Sequence, residues 1–357
     1  MARIRRKVAR AFAFAFVLVS IASPAWSQHE AVHRIASFQF ESGATLDDMK
    51  VGYVTYGQRT ANDENVIVLL PPTSGLKNWA AAHIGKGKLF DPEKYFIVSI
   101  DAIGGGTSSQ PRDGLGARFP QYNIRDMVRA QHELLTKALG IQRALAICGA
   151  SSGAYQALEW GVQYPDFARS LLLWAGAARA DMQVKSIVDG IVATLTLDPA
   201  FASGQAVPAG GDAVRRASTV YFPWLASEAG LNTFASDEEL VKAEAGFADN
   251  WARNWDAIGL AWRYRSSRLH NVGEGQGGKV ADALQRVTAA VFILAVSTDR
   301  THSLALNEEM RQGLRNAKVT WSVLDSPRGH LAVFRGPGTA EFESVQGRTR
   351  EFLDSLR

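Results

Sequence analysis

The sequence has a single cysteine, Cys148, in 357 residues. That excludes an internal disulfide, and the apolar run around it, ALAICGA, predicts a buried, inert thiol. No group of His, Cys, Asp and Glu has metal-ligand spacing, so no metal or other cofactor is expected. The glycine-rich IGGGTSSQ (residues 103–110) lacks G-x-G-x-x-G and Gly-Lys-Ser/Thr, and reads as a tight turn rather than a phosphate cradle. Repeats and low-complexity tracts are absent. A strong excess of one charge is missing too. The chain carries 39 Lys+Arg against 35 Asp+Glu, but Arg3, Arg5, Arg6, Lys7 and Arg10 crowd the start. Without residues 1–27 the balance is 34 against 35, a net of −1. Neither nucleic acid nor an anionic membrane surface is an expected partner.

The first residues have their own logic. A basic head is followed by the apolar AFAFAFVLVSIA and then by Ser23-Pro24-Ala25-Trp26-Ser27. The apolar run falls short of the roughly 20 residues needed to span a bilayer. The pattern is that of a secretory signal peptide cut after Ser27, which predicts a periplasmic or secreted protein with no stable membrane anchor. The remaining residues, in a chain that is 46% hydrophobic, can bury a large core.

Past the leader, short β-like runs alternate with helical patterns, the mark of a mostly parallel sheet flanked by helices. The runs are 49–57, 66–72, 95–106, 144–150, 170–178, 290–299 and 319–325. Residues 124–140, 154–165 and 339–356 have helical spacing. Between about 180 and 265 the alternation stops, in a region that holds Tyr221, Phe222, Trp224, Trp251, Trp255, Trp262 and Tyr264. These aromatics are either the core of an inserted cap or the lining of a substrate tunnel. The expected organisation is a leader (1–27), a core in two parts (28–180 and 266–357), and a helical lid (181–265).

The chemistry centres on ICGASSGAYQALEW, residues 147–160. Gly149-Ala150-Ser151-Ser152-Gly153 is G-x-S-x-G between a strand and a helix, a nucleophile elbow with Ser151 as nucleophile. The N–H of Ser152 and the start of the helix face the developing oxyanion. Such a serine needs a base and the base needs a carboxylate, which follow the serine in the order acid, then histidine. Asp299 ends a strand and His330 lies in the loop after the last one. His302 is on the wrong side of the acid for this order and reads as a loop residue; Asp325 rivals Asp299 but lies within the strand leading to His330. The second oxyanion donor is expected from PPTSG (71–75), with Thr73 preferred because proline has no N–H.

FPQYNIRDMVRAQHELLTKALGI, GASSGAYQALEWGVQYPD, IGKGKLFDPEKYFIVSIDAIGGG and VLDSPRGHLAVF together resemble the homoserine O-acetyltransferase family of α/β-hydrolase-fold enzymes, from about residue 37 to 357 and more weakly through the lid. The resemblance implies an α/β-hydrolase fold and the triad Ser151, Asp299 and His330. It also implies a lid that can mediate a homodimer. The departures bear on substrate. Aligned on Asp198-Pro199, Val192 stands where the family has a carboxylate-gripping arginine, and Leu331 stands where an aspartate holds the substrate's amino group. Burying homoserine's charges without partners costs several kcal/mol. Tyr155, in place of the family's methionine, reshapes the acyl pocket, and Trp224 is a further candidate for its wall.

The expected function is therefore an exported serine hydrolase acting on a small, largely uncharged carboxylic ester. An O-acyltransferase with a different alcohol acceptor is the rival, and a catalytically silent binding protein the third reading.

Overall fold

In the computed structural model, residues 27–205 and 208–356 are described. The leader expected at 1–27 lies outside them except for Ser27. Eight strands form one sheet: β1 (Gln28–Gln39), β2 (Thr45–Tyr56), β3 (Val66–Leu70), β4 (Phe96–Ile100), β5 (Ala146–Ala150), β6 (Ser170–Trp174), β7 (Ala290–Val296) and β8 (Val319–Leu324). Their order is β1-β2-β4-β3-β5-β6-β7-β8, antiparallel for β1–β2 and β2–β4 and parallel from β4 onward. The central strands VIVLL, AICGA and SLLLW are buried at every position, as strands covered on both faces must be.

The helices are α1 (Ile124–Glu133), α2 (Ser152–Gln163), α3 (Met182–Leu195), α4 (Pro199–Ser203), α5 (Asp212–Leu225), α6 (Glu228–Leu231), α7 (Asp237–Asn254), α8 (Ala257–Arg268), α9 (Val280–Leu284), α10 (Leu304–Gly313) and α11 (Ala340–Asp354). The lid is α3 to α8, inserted between β6 and β7. Helix α8 continues to Arg268 with most of its length buried. Strand β3 neighbours β4 on one side and β5 on the other, so the winding of the sheet reverses at their carboxyl ends. Ligand crevices of open α/β sheets form at such a switch point. The loop after β3 and the turn after β5 meet there.

That turn is close-packed. A Cβ on Gly149 would lie 2.1 Å from the Gly153 carbonyl, and one on Gly153 would lie 2.3 Å from the Leu70 oxygen. The two framing glycines are what let α2 rise directly from β5 against β3. Gly153→Ala should destabilise the fold by about 2–3 kcal/mol through backbone displacement. Urea denaturation followed by far-UV circular dichroism checks this, and an unchanged midpoint would contradict the crowding.

Candidate active site

Ser151 sits at the tip of the turn with φ 57° and ψ −124°, a left-handed conformation rare for a residue with a side chain. Its N–H donates to the Trp174 carbonyl at 2.9 Å, which ties the turn to β6. Ser152 opens α2, so its N–H is one of the donors that no helical carbonyl can accept.

The loop after β3 is fastened by its carbonyls. Gln156 Nε2 donates to Pro71 O (3.0 Å), Arg263 Nη2 to Pro72 O (2.9 Å), Arg263 Nε to Thr73 O (2.9 Å) and Trp255 Nε1 to Ser74 O (3.0 Å). Arg263 also gives Nη1 to Ile103 O at 3.2 Å. Arg263 is 1% exposed and forms no ion pair among the described residues; burial draws its pKa below the ordinary value, opposed by Tyr122 and Asp101. With its carbonyls held from behind, the loop leaves the Thr73 N–H with no protein acceptor, beside Ser151. Arg263 and Gln156 escape the sequence reading, which names Trp255 only as a lid aromatic. A cation inside the apolar stretch AIGLAWRYR was the available sign.

Asp299 follows β7 and His330 follows β8. His330 Nδ1 donates to Asp299 Oδ2 at 2.7 Å. Asp299 Oδ1 receives the Thr301 N–H (2.8 Å), the Thr301 hydroxyl (2.8 Å) and the His302 N–H (2.9 Å). Burial opposes ionisation of Asp299, yet His330 and these donors hold its carboxyl well below the usual range. Gly329, at φ 56°, carries the chain into His330 against the backbone of Leu225 and Ser227, where a Cβ would lie 2.6 Å from the Leu225 oxygen. Asp325 is exposed and accepts from Ser297 Oγ at 2.8 Å, away from His330.

His302 lies in the loop after β7, as expected, but it is not a surface residue. It is buried beneath the Asp299–His330 pair, with Nε2 2.5 Å from the Tyr155 hydroxyl and Nδ1 3.3 Å from Thr301 Oγ1 and 3.4 Å from His330 Nδ1. Because the Thr301 hydroxyl donates to Asp299, it can accept only from His302 Nδ1–H, which leaves Nε2 to accept from Tyr155. Tyr155 in turn stacks on His270, ring centroids 3.8 Å apart. Burial, reinforced by His330, pushes the His302 pKa down to about 3. Asp299, His302 and His330 each offer one ligand atom within 4.8 Å of the others, a grouping that sequence spacing does not reveal. The hydrogen bonds above already engage Asp299 and both Nδ1 atoms, leaving a metal no unengaged set of donors.

Two chambers meet at Ser151. The larger, about 420 Å³, is lined by His330, Leu331, Thr73, Tyr221 and Asn250 among others. The smaller, about 20 Å³, is closed by Tyr155, Val184, Ile187, Val188 and His302. No lysine, arginine, aspartate or glutamate lines either. Of the expected pocket residues, Leu331 and Tyr155 take their places. Val192 does not: it packs, partly buried, against the core from α3, and lines neither chamber. Nor does Trp224, whose ring lies under the Arg300 guanidinium at 4.6 Å.

The family model for the alpha/beta hydrolase fold matches residues 66–337. Homoserine O-acetyltransferase of Thermobifida fusca is 30% identical over 81% of this chain and 86% of its own length. Ethyl acetate hydrolase of Pseudomonas veronii is 27% identical, covering 90% and 94%. Among solved structures, the acetyl esterase MekB superposes with a TM-score of 0.83 at 25% identity, over 91% of this chain and 97% of that one.

The buried histidine makes stability depend on acidity. His302 has a folded pKa near 3, below the ordinary 6.5, so protons bind the unfolded chain first. Its contribution is complete above about pH 7 and is lost as pH falls from 6.5 towards 3. Glu159, raised by burial to about 7, works in the opposite sense between about pH 4.5 and 7 in wild type and variant alike. His302→Asn should flatten the fall of unfolding free energy between pH 6 and 4 by up to about 1 kcal/mol per pH unit. Urea titrations of both proteins across that range check it; parallel slopes would mean His302 is charged in the folded state.

Proposed function

Since the chain belongs to the homoserine O-acetyltransferase-like family of alpha/beta-hydrolase-fold proteins, we propose that it is a serine hydrolase that cleaves a small carboxylic ester through an acyl-enzyme on Ser151. One observation carries the reading. A serine in a strained turn and a histidine bonded to a buried carboxylate at 2.7 Å line the same uncharged chamber.

With Nδ1 held by Asp299, His330 has Nε2 available to take the Ser151 proton as Oγ attacks the carbonyl carbon. The N–H groups of Ser152 and Thr73 receive the oxyanion. His330 then returns the proton to the leaving alcohol, the bond to that oxygen breaks, and the acyl group stays on Ser151. Water, deprotonated by His330, attacks the acyl-enzyme; collapse releases the acid and restores Ser151. Asp299 keeps the imidazole in one tautomer throughout.

The walls favour uncharged groups beside the scissile carbonyl. Leu331 gives no partner to an ammonium, and neither chamber gives a cation to a carboxylate, which speaks against homoserine. The names of relatives include both an ester hydrolase and acetyltransferases, so transfer to an alcohol other than homoserine is the second reading. The basic, apolar start of the chain supports action outside the cytoplasm after cleavage at Ser27.

The test is hydrolysis of 4-nitrophenyl acetate beside Ser151→Ala, with free acid and transferred ester both quantified in the presence of small alcohols. Wild type should turn over in water alone, and Ser151→Ala should lose about a million-fold in kcat. A stoichiometric burst that turns over only with added alcohol would assign a transferase. Undiminished turnover by Ser151→Ala would overturn the nucleophile.

A further inference from the structure

We propose that the seam between the lid and the histidine loop is a subsite for an anionic group on the leaving-alcohol side of the substrate, received by Arg335. The proposal rests on the ester-hydrolase reading above and extends it to the class of alcohol.

A separate cavity of about 450 Å³ lies between α5, α7 and the loop after β8. It shares Phe247, Asn250 and Leu331 with the large chamber at Ser151, so the two adjoin along those side chains. Both chambers that touch Ser151 are uncharged, but this one is lined by Arg328 and Arg335. The two arginines are not equivalent. Arg328 has Glu341 at 3.6 Å as its ion-pair partner. Glu341 feels both cations, yet Arg335 forms no ion pair among the described residues, and its Nε is buried without a hydrogen-bond partner there. A guanidinium without an ion-pair partner at the wall of a cavity suits an oxyanion, whose two oxygens match its planar fork.

The direction of binding follows from His330. The proton donor to the leaving oxygen lines the large chamber and not the small one, so the alcohol portion occupies the large chamber. The small chamber, at about 20 Å³ and walled by Val184, Ile187 and Val188, takes the acyl group. Beyond Leu331, next in the chain after His330, the alcohol portion reaches the cavity of Arg335. The substrate class is thus a short-acyl ester of an alcohol with an apolar middle and a terminal oxyanion, a carboxylate or a phosphate.

The experiment compares kcat/KM for ω-acetoxyalkanoates of increasing length with the matched neutral ω-acetoxyalkanamides, in wild type, Arg335→Met and Arg335→Lys. Phosphate-terminated analogues form a second arm that separates the two oxyanions. Wild type should favour one length of anionic substrate at least tenfold over its amide at low salt, through KM rather than kcat. Arg335→Met should erase that preference and leave the amides unchanged, and Arg335→Lys should keep part of it. Equal kcat/KM for anionic and neutral partners at every length, or a preference that survives in Arg335→Met, overturns the subsite. Calorimetric binding of 6-hydroxyhexanoate and 6-hydroxyhexyl phosphate, to wild type and Arg335→Met, tests the site without turnover. If no ester is cleaved but a ligand binds in an Arg335-dependent way, the hydrolase reading fails and the subsite stands. If neither ligand binds and anionic and neutral esters are cleaved alike, the reverse holds.

Discussion

The capture of the 71–74 carbonyls from behind is the constraint on which the site depends. Arg263 spans Pro72 O, Thr73 O and Ile103 O with one planar group, and Trp255 and Gln156 hold the carbonyls on either side. A buried cation is expensive unless every donor is used. Here carbonyl dipoles serve in place of a carboxylate, so the positive charge is spread along the loop that lines the chambers with Ser151. A carboxylate counter-ion would have fixed the arginine and left the loop free. Because α8 belongs to the lid and the loop to the core, the same bonds join the two parts of the molecule.

The Asp299 carboxylate is built on the same logic of saturated donors. Asp299 is buried, and its two oxygens accept from Thr301 twice, from His302 and from His330. Tyr155 and His302 extend that network under the base and also wall the small chamber. One set of side chains therefore packs under His330 and bounds the small chamber, so enlarging that chamber by changing Tyr155 or His302 disturbs the surroundings of His330 as well.

What the sequence revealed and what it hid divide along the range of the interactions. The elbow was legible because strand, glycines and helix are contiguous, and the clash distances at Gly149 and Gly153 explain the pattern. The parallel strands were legible as apolar runs because they are buried on both faces. Strand β1, QHEAVHRIASFQ, gave no such signal: it is an edge strand, largely exposed, with two histidines and two charges. Chain order reads His302 as a loop residue, yet its partner in the network is Tyr155, 147 residues away. Val192 was placed by alignment on Asp198-Pro199, and a helical lid rotates side chains in ways that alignment does not carry. Arg263 could be found only by asking where a buried guanidinium would find its acceptors, 160 to 191 residues distant.

The lid aromatics divide between the two roles that the sequence left open. Trp255 and Trp262 are structural, each giving its indole N–H to a core carbonyl, Ser74 O and Phe119 O, at 3.0 Å. Tyr221 and Tyr264 line the chambers at Ser151, with Trp251 packed between them and Phe247. Arg263 lies in α8 and Trp255 in the turn between α7 and α8, so displacing α8 with that turn would withdraw both and release the loop that carries Thr73. An opening that keeps these bonds must therefore leave α8 and the turn before it in place. The seam of α5 and α7 with the histidine loop meets that condition, since its walls share Phe247, Asn250 and Leu331 with the large chamber and carry none of the bonds to the 71–74 loop.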